Sequence, residues 1–326
     1  MAAAPLRKRL LVTGAAGFVG RHAMSAFAAS EDYDVLGIGR GSFDTLPPGA
    51  SFYSVDLEEA ASLQTLIAGF GPTHILHLAG QASIGYTPTG PLGTWRANVT
   101  ALMNLVEAVQ FAAPTATFLF VSSGEVYGRA FLNHETVVED ITPLPAGTYA
   151  RTKLVGEEML SDIFANSGVR SIVLRPFNHT GPGQDERFVV ASFASQIARI
   201  EAGLAPPRLM VGNLDAKRDF LDARDVVRAY ASVIANSEAI AHGTVFNVAS
   251  GEPRTIAEIL AELRALARVP FEAVAAPDRQ RPSEIAIAAG NAQKLRDTTG
   301  WAPVIPWRQT LTDILNAARQ ACAARP

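Results

Sequence analysis

Residues 10–20 read LLVTGAAGFVG. The apolar run 10–12 has the length of a strand, and Gly14, Gly17 and Gly20 then punctuate a turn into the amphipathic segment 21–29. This predicts strand, glycine turn and helix, even though the preceding MAAAPLRKR imitates the basic head of a secretory leader. Further strands are predicted at 35–38, 52–55, 74–78, 117–122 and 171–174, with helices at 57–69, 92–112 and 148–166. Strands alternating with helices of this length predict an α/β fold with a Rossmann-type, doubly wound parallel sheet covered on both faces.

After Arg175 the segments RPFNHTGPGQ (175–184) and GLAPPRLMVGN (203–213) cluster Pro, Gly and Asn, which marks the chain leaving its first domain. A strand at 244–248 is predicted to return to the sheet, and helices at 255–267, 291–299 and 307–323 to build a smaller C-terminal α/β domain. Ile256, Ile259, Leu260, Leu263 and Leu266 share one helical face and are expected to be core. The expected division is 1–177 for nucleotide binding, with a return near 220–250, and 178–326 for the substrate.

Composition narrows the function. The chain has 326 residues, 48% of them hydrophobic and 18% charged, with a formal net charge of -3, which excludes a disordered or collagen-like polymer. At roughly 150 residues per domain, that length predicts about two domains. The near-zero charge argues against a dedicated nucleic-acid binder. No apolar run reaches the ~18 residues of a membrane span. One cysteine, Cys322, permits no internal disulfide, and with no leader recognised it points to a reducing, cytoplasmic setting. The 6 histidines do not cluster at metal-ligand spacing, so no metal is expected.

The glycine turn lets backbone N–H groups and a helix N-terminus face a pyrophosphate. NAD sites place an acid at the end of the second strand, for the ribose 2′-hydroxyl. Here DVLGIGR ends on Gly39 and Arg40, which favours NADPH while leaving NADH possible. Asp56 suits either the adenine amino group or the N-cap of a helix starting at Leu57. The chain holds few lysines, at 8, 153, 217 and 294. Lys153 lies four residues after Tyr149 in TYARTKLVGEEML and so shares its helical face. An ammonium beside a phenol is expected to lower the phenol's pKa toward working pH, as a proton donor to a ketone requires. Ser123, in VSSGEVYG at a strand's carboxyl end, adds a hydroxyl where parallel sheets place ligands. Ser, Tyr and Lys together suit redox chemistry at a secondary alcohol or ketone.

In this order, GAAGFVG, HLAGQAS, NVTALMNLVEA, VSSGEVYG, YARTK and RPFNHTGPGQ resemble extended short-chain dehydrogenases/reductases of the nucleotide-sugar type, over nearly the whole chain. SFASQIARIEAG and VGNLDAKRDFLDARDVVRAY are most similar to the GDP-4-keto-6-deoxy-D-mannose reductases that form GDP-D-rhamnose. The related GDP-mannose 4,6-dehydratases share NLDAKRD but carry an Arg-rich segment in place of TGPGQ. The resemblance implies Ser123, Tyr149 and Lys153 as catalytic residues, with Glu125 matching the base that dehydratases use at C5. It implies cofactor contacts at Gly14, Gly17, Phe18, Val19, Gly20, Arg40, Asp56, Leu57, Leu78, Ala79 and Gly80, besides Tyr149 and Lys153. For the GDP-sugar it implies Asn178 and Val189, with Arg218, Arg281 and Glu284 toward the nucleotide diphosphate. It also implies a homodimer through helices 92–112 and 148–166. A talose-forming C4 reductase, a 4,6-dehydratase and an epimerase remain the alternative activities.

Overall fold

A computed structural model describes residues 7–43, 45–81, 90–276 and 284–324. In chain order the first elements are β1 (Lys8–Thr13), α1 (Phe18–Ala28), β2 (Tyr33–Gly39), β3 (Ala50–Ser54), α2 (Ala60–Phe70) and β4 (His74–His77). Next come α3 (Gly90–Trp95), α4 (Ala101–Ala112), β5 (Thr117–Val121), β6 (Thr136–Val137), α5 (Thr148–Phe164), β7 (Arg170–Pro176) and β8 (Asn178–Thr180). The remainder is α6 (Val189–Glu201), β9 (Arg208–Val211), β10 (Lys217–Asp222), α7 (Ala223–Ala235), β11 (Thr244–Val248), β12 (Pro253–Thr255), α8 (Ile256–Leu266), β13 (Glu272–Ala275), β14 (Ile287–Gly290), α9 (Gln293–Thr299) and α10 (Trp307–Ala323).

Seven strands form one parallel sheet in the order β11-β7-β5-β4-β1-β2-β3. The strand order reverses between β1 and β4, and the crevice beyond their carboxyl ends is where such sheets bind ligands. Central strands are apolar without interruption because both faces are covered: every residue of β5, Thr-Phe-Leu-Phe-Val, is buried. Alternate residues feed opposite cores. Leu10, Val12, Leu119 and Leu174 join one with Met24 of α1 and Val233 of α7, while Leu11, Phe118, Phe120 and Val173 join the other with Leu105 of α4 and Leu160 of α5. A third core gathers Phe193 and Ile197 of α6, Leu209, Phe220, Ile259, Leu263, Leu311 and Ile314.

The predicted return strand is β11, paired in parallel with β7, and α10 spans the predicted limits. Of the predicted α8 stripe, Ile256, Ile259, Leu260 and Leu263 are buried, and Leu266 packs beside them.

Two expectations are corrected. The helix placed at 92–112 is broken into α3, a π-helical stretch Arg96–Thr100, and α4. Asn98 in that stretch is buried, accepts from the Gln81 N–H at 2.7 Å and donates to Thr152 Oγ1 at 2.9 Å. The wider turn thereby ties the loop after β4 to α5. Asp56 does not cap α2, whose N-cap is Glu59; its carboxylate accepts from the Glu58 N–H at 3.1 Å in a local turn. The short strands outside the main sheet escaped the sequence pattern. They form a sheet with β10 at its centre, flanked by β12, β14 and β8 with β6 beyond β14, plus the separate pair β9/β13.

Candidate active site

A cleft of ≈ 670 Å³ opens at the carboxyl ends of the sheet strands. The glycine turn forms one wall. Gly14 has φ +67°, and a Cβ there would stand 2.7 Å from the Ala79 nitrogen, so β1 and β4 approach closely only because no side chain intervenes. A Cβ on Gly20 would come within 2.2 Å of the Gly14 carbonyl oxygen, so α1 also sits tight against the turn. The N-cap of α1, Gly17, supplies no side-chain cap and the first turn has no acid. Its leading N–H groups therefore lie in a wall that includes Gly17, Phe18, Val19 and Gly20, as an anionic pyrophosphate requires. Thr13 braces the far side: its hydroxyl bonds His77 Nδ1 at 2.8 Å and accepts from the Ala79 N–H at 3.1 Å. Leu78 and Gly80 line the cleft. These residues fit a dinucleotide.

Arg40 and Asp56 are not among the residues that line the cleft; Arg40 is exposed and its guanidinium lies 3.8 Å from the Asp56 carboxylate. The two predicted adenosine-end residues thus face each other. Leu57 is buried, and its carbonyl accepts from Asn104 Nδ2 at 3.1 Å.

Ser123, Glu125, Tyr149 and Lys153 all line the same cleft. Ser123 N-caps a short 3-10 turn, Gly124–Tyr127, its Oγ accepting from the Glu125 N–H at 3.1 Å. Lys153 is buried, donates to the Val121 carbonyl at 2.8 Å, and stands 5.9 Å from the centroid of the Tyr149 ring. The expected lowering of the Tyr149 pKa is not what the chain by itself produces. Burial pushes the phenol up to about 12, Glu125 adds to that, and a hydrogen bond with Ser123 opposes it. Burial pulls the Lys153 ammonium down to about 8, with Glu157 opposing. A protonated phenol is the form a proton donor needs.

Behind these groups lies a buried polar cluster absent from the sequence prediction. Arg175 of β7 grips Glu157 of α5 through two bonds, Nε to Oε1 at 3.1 Å and Nη2 to Oε2 at 2.6 Å. Ser122 donates to the same carboxylate. Arg175 also donates to the Tyr127 hydroxyl at 2.9 Å, which in turn donates to Asn247 Oδ1 at 2.8 Å. Strands β5, β7 and β11 are thereby locked to α5, fixing Ser123 against Tyr149.

Across the cleft stand Asn178, Val189 and Arg218. Arg218 is not the ion-pair partner of Asp219 or Asp222. Asp219 accepts from the N–H groups of Ser250, Gly251 and Gly290, and Asp222 holds Arg224 and Thr310. Arg218 donates instead to the Lys217 and Ile285 carbonyls, at 2.8 Å and 3.2 Å. Burial raises the Glu125 pKa, and the Arg218 charge pulls against that rise. Glu284 is exposed and does not line the cleft, and Arg281 lies outside the described residues. Lining residues that were not foreseen include Arg187 and Tyr230. Arg187 lies just beyond the quoted loop motif, and Tyr230 ends the quoted segment VGNLDAKRDFLDARDVVRAY, where the resemblance assigned it no role. Among the described residues no group of three or more His, Cys, Asp or Glu side chains is placed to hold a metal ion.

The model of the NAD dependent epimerase/dehydratase family matches residues 10–249. The chain belongs to this family. Among its relatives, the GDP-6-deoxy-D-mannose reductase of Pseudomonas aeruginosa is 38% identical over 311 residues, covering 95% of this chain and 97% of that one. A UDP-glucose 4-epimerase of Azospirillum brasilense is 26% identical over 310 residues, covering 90% and 87%. Solved members of the family superpose closely. RMD from Pseudomonas aeruginosa, complexed with NADPH, gives a TM-score of 0.81 at 35% identity, over 96% of this chain and 99% of that one. The UDP-glucose 4-epimerase of Thermus thermophilus in complex with NAD gives 0.83 at 29%, also over 96% and 99%.

Proposed function

We propose that this enzyme reduces the C4 ketone of GDP-4-keto-6-deoxy-D-mannose to GDP-D-rhamnose at the expense of NADPH. The observation that carries it is the convergence of Ser123, Tyr149 and Lys153 on one cleft beside the glycine turn. The wider identity to the reductase, 38% against 26% for the epimerase quoted, favours reduction within the family. The neighbour solved with NADPH, and Arg40 where NAD sites carry an acid, favour the phosphorylated cofactor.

Ser123 and Tyr149 donate hydrogen bonds to the C4 carbonyl oxygen and polarise it. The bound cofactor supplies a hydride to C4. Tyr149 passes its proton to the oxygen as negative charge grows there, and the Lys153 ammonium stabilises the phenolate left behind. The balance is ketone, NADPH and one proton giving a secondary alcohol and NADP⁺. Asn178 and Val189 border the sugar, Arg218 faces the diphosphate, and Arg281 and Glu284 are assigned to the nucleotide end on the resemblance alone. Glu125 has the chemistry of a base at C5, but a reductase cycle does not use it. The division of labour we assign is 1–177 with the returning α7 and β11 for the cofactor and the rest of 178–326 for the GDP-sugar; the third core lies wholly within 178–326, while Ala292, Leu295 and Trp301 join the first.

Incubation with GDP-4-keto-6-deoxy-D-mannose should oxidise NADPH mole for mole with sugar reduced, and faster than NADH. A dehydratase or epimerase recycles its cofactor, so turnover without net loss of absorbance at the nicotinamide band refutes the reductase assignment. NMR of the product separates rhamnose from the talose epimer, which the same catalytic groups would form on the other ring face.

Met103 and Phe111 of α4 and Val155 of α5 are exposed apolar side chains. They support a homodimer through α4 and α5, in which these side chains leave water. Light scattering at micromolar concentration should report twice the 34.6 kDa chain mass; a monomer alone rules this out. No helix among the described residues is long and apolar enough to cross a membrane. The half-buried, unpaired Cys322 is consistent with a reducing, cytoplasmic setting.

A further inference from the structure

Arg21 of α1 lines the cleft and is exposed there. Its Nε donates to the Ala16 carbonyl at 3.0 Å and its Nη2 to the Ser42 carbonyl at 2.8 Å, and the guanidinium lies 4.7 Å from the centroid of the Phe43 ring. An exposed arginine ordinarily keeps its rotamer freedom; one held at three points has already given it up, so less is lost when it meets a ligand. Among the described residues it has no carboxylate partner, and its Nη1 donates to no protein group. The loop it holds is the one that follows β2. Gly39 ends that strand, the Ala15 N–H donates to the Ile38 carbonyl at 3.2 Å, and a Cβ on Gly41 would stand 2.7 Å from the Ala16 Cβ. Residues 40–43 therefore lie against the glycine turn, with Arg21 as their clamp. The end of the second strand is where such sheets read the 2′ position of the cofactor ribose. Arg40, the cation expected there from the sequence, is outside the cleft wall, and Asp56 at 3.8 Å offsets its charge.

From this placement we infer that Arg21 is a recognition group for the 2′-phosphate of the cofactor and sets the preference for NADPH over NADH. The inference rests on the NADPH-dependent reading of the cleft. A 2′-phosphate is a compact anion with several acceptor oxygens, and a guanidinium meets such oxygens through a fork of N–H groups. The bonds from Arg21 to Ala16 and Ser42 end on carbonyls, so they aim the group without neutralising it. NADH presents a hydroxyl at the same position and has no need of a cation. Arg21 takes no part in hydride or proton transfer; its contribution is to affinity and to the choice between the two cofactors.

The test is Arg21→Met, made alone and in an Arg40→Met background, with dissociation constants for NADPH and NADH measured by titration calorimetry. Alone, the change should weaken NADPH by about 10- to 30-fold and NADH by less than about 2-fold, so that the preference between them collapses. Retained NADH affinity also shows that the glycine turn and its helix are intact. The same loss of NADPH affinity should recur in the Arg40→Met background, because separate contacts add. Equal weakening of both cofactors overturns the assignment and moves Arg21 to the pyrophosphate that they share. Unchanged NADPH affinity overturns it outright. A loss that vanishes in the Arg40→Met background overturns it too, and reduces Arg21 to a clamp that positions Arg40. Wild-type protein that binds NADPH no more tightly than NADH refutes the underlying cofactor preference instead.

Discussion

Tyr149→Phe is expected to lower kcat by about 10²- to 10⁴-fold, the range associated with a positioned general acid. The ring, its place on α5 and the neighbouring Lys153 remain, so the fold and the affinity for NADPH should change little. Ser123 still polarises the carbonyl, which leaves residual turnover above the uncatalysed rate. The wild-type pH profile carries a second signature. The Lys153 ammonium is pulled to about 8 by burial, so its charge is complete below that value and is lost as pH rises through it. Turnover should accordingly decline above about pH 8, while the Tyr149 proton, held to about 12, remains in place. Near-wild-type kcat in the phenylalanine variant sinks the assignment of Tyr149 as proton donor.

The largest effect on stability is expected at Arg175→Met. This change strips the buried Glu157 carboxylate of two guanidinium bonds and leaves the Tyr127 hydroxyl one donor short. Breaking one half of a buried pair costs about 3–5 kcal/mol, because the other half stays desolvated and uncompensated. Replacing both partners, as Glu157→Leu with Arg175→Met, should recover part of that loss by removing the uncompensated charge, the remainder persisting because the Ser122 hydroxyl loses its acceptor and the Tyr127 hydroxyl one donor. Urea denaturation of the single and double variants measures both; a single-variant loss below about 1 kcal/mol contradicts the claim that the pair is uncompensated when broken.

Much of this could be read along the chain, for reasons visible in particular residues. LLVTGAAGFVG combines a two-face-buried strand with glycines whose spacing is dictated by the contacts of Gly14 with Ala79 and of Gly20 with Gly14. Tyr149 and Lys153 could be paired because one helical turn relates them. What stayed hidden depends on distant partners. The π stretch at Arg96–Thr100 inserts into an otherwise regular apolar pattern, and its cause, Asn98 bridging Gln81 and Thr152, is tertiary. Strands of two to four residues such as β6 and β14 are too short for alternation to register. The raised Tyr149 phenol reflects burial by elements far away in sequence, which the four-residue spacing to Lys153 cannot reveal.

The packing of Gly14 and Gly20 against main-chain atoms has a consequence for adaptability. No larger residue enters either position without displacing backbone, so the turn is closed to gradual change and can only be kept or lost. Arg40 and Asp56 are different. Their side chains lie 3.8 Å apart and largely outside the core, so exchange there displaces no backbone, although Asp56 would lose its bond from the Glu58 N–H. If Arg40 and Asp56 meet the adenosine end as proposed, drift in cofactor preference, whether by natural divergence or by engineering, has its accessible route through those two positions rather than through the glycine turn.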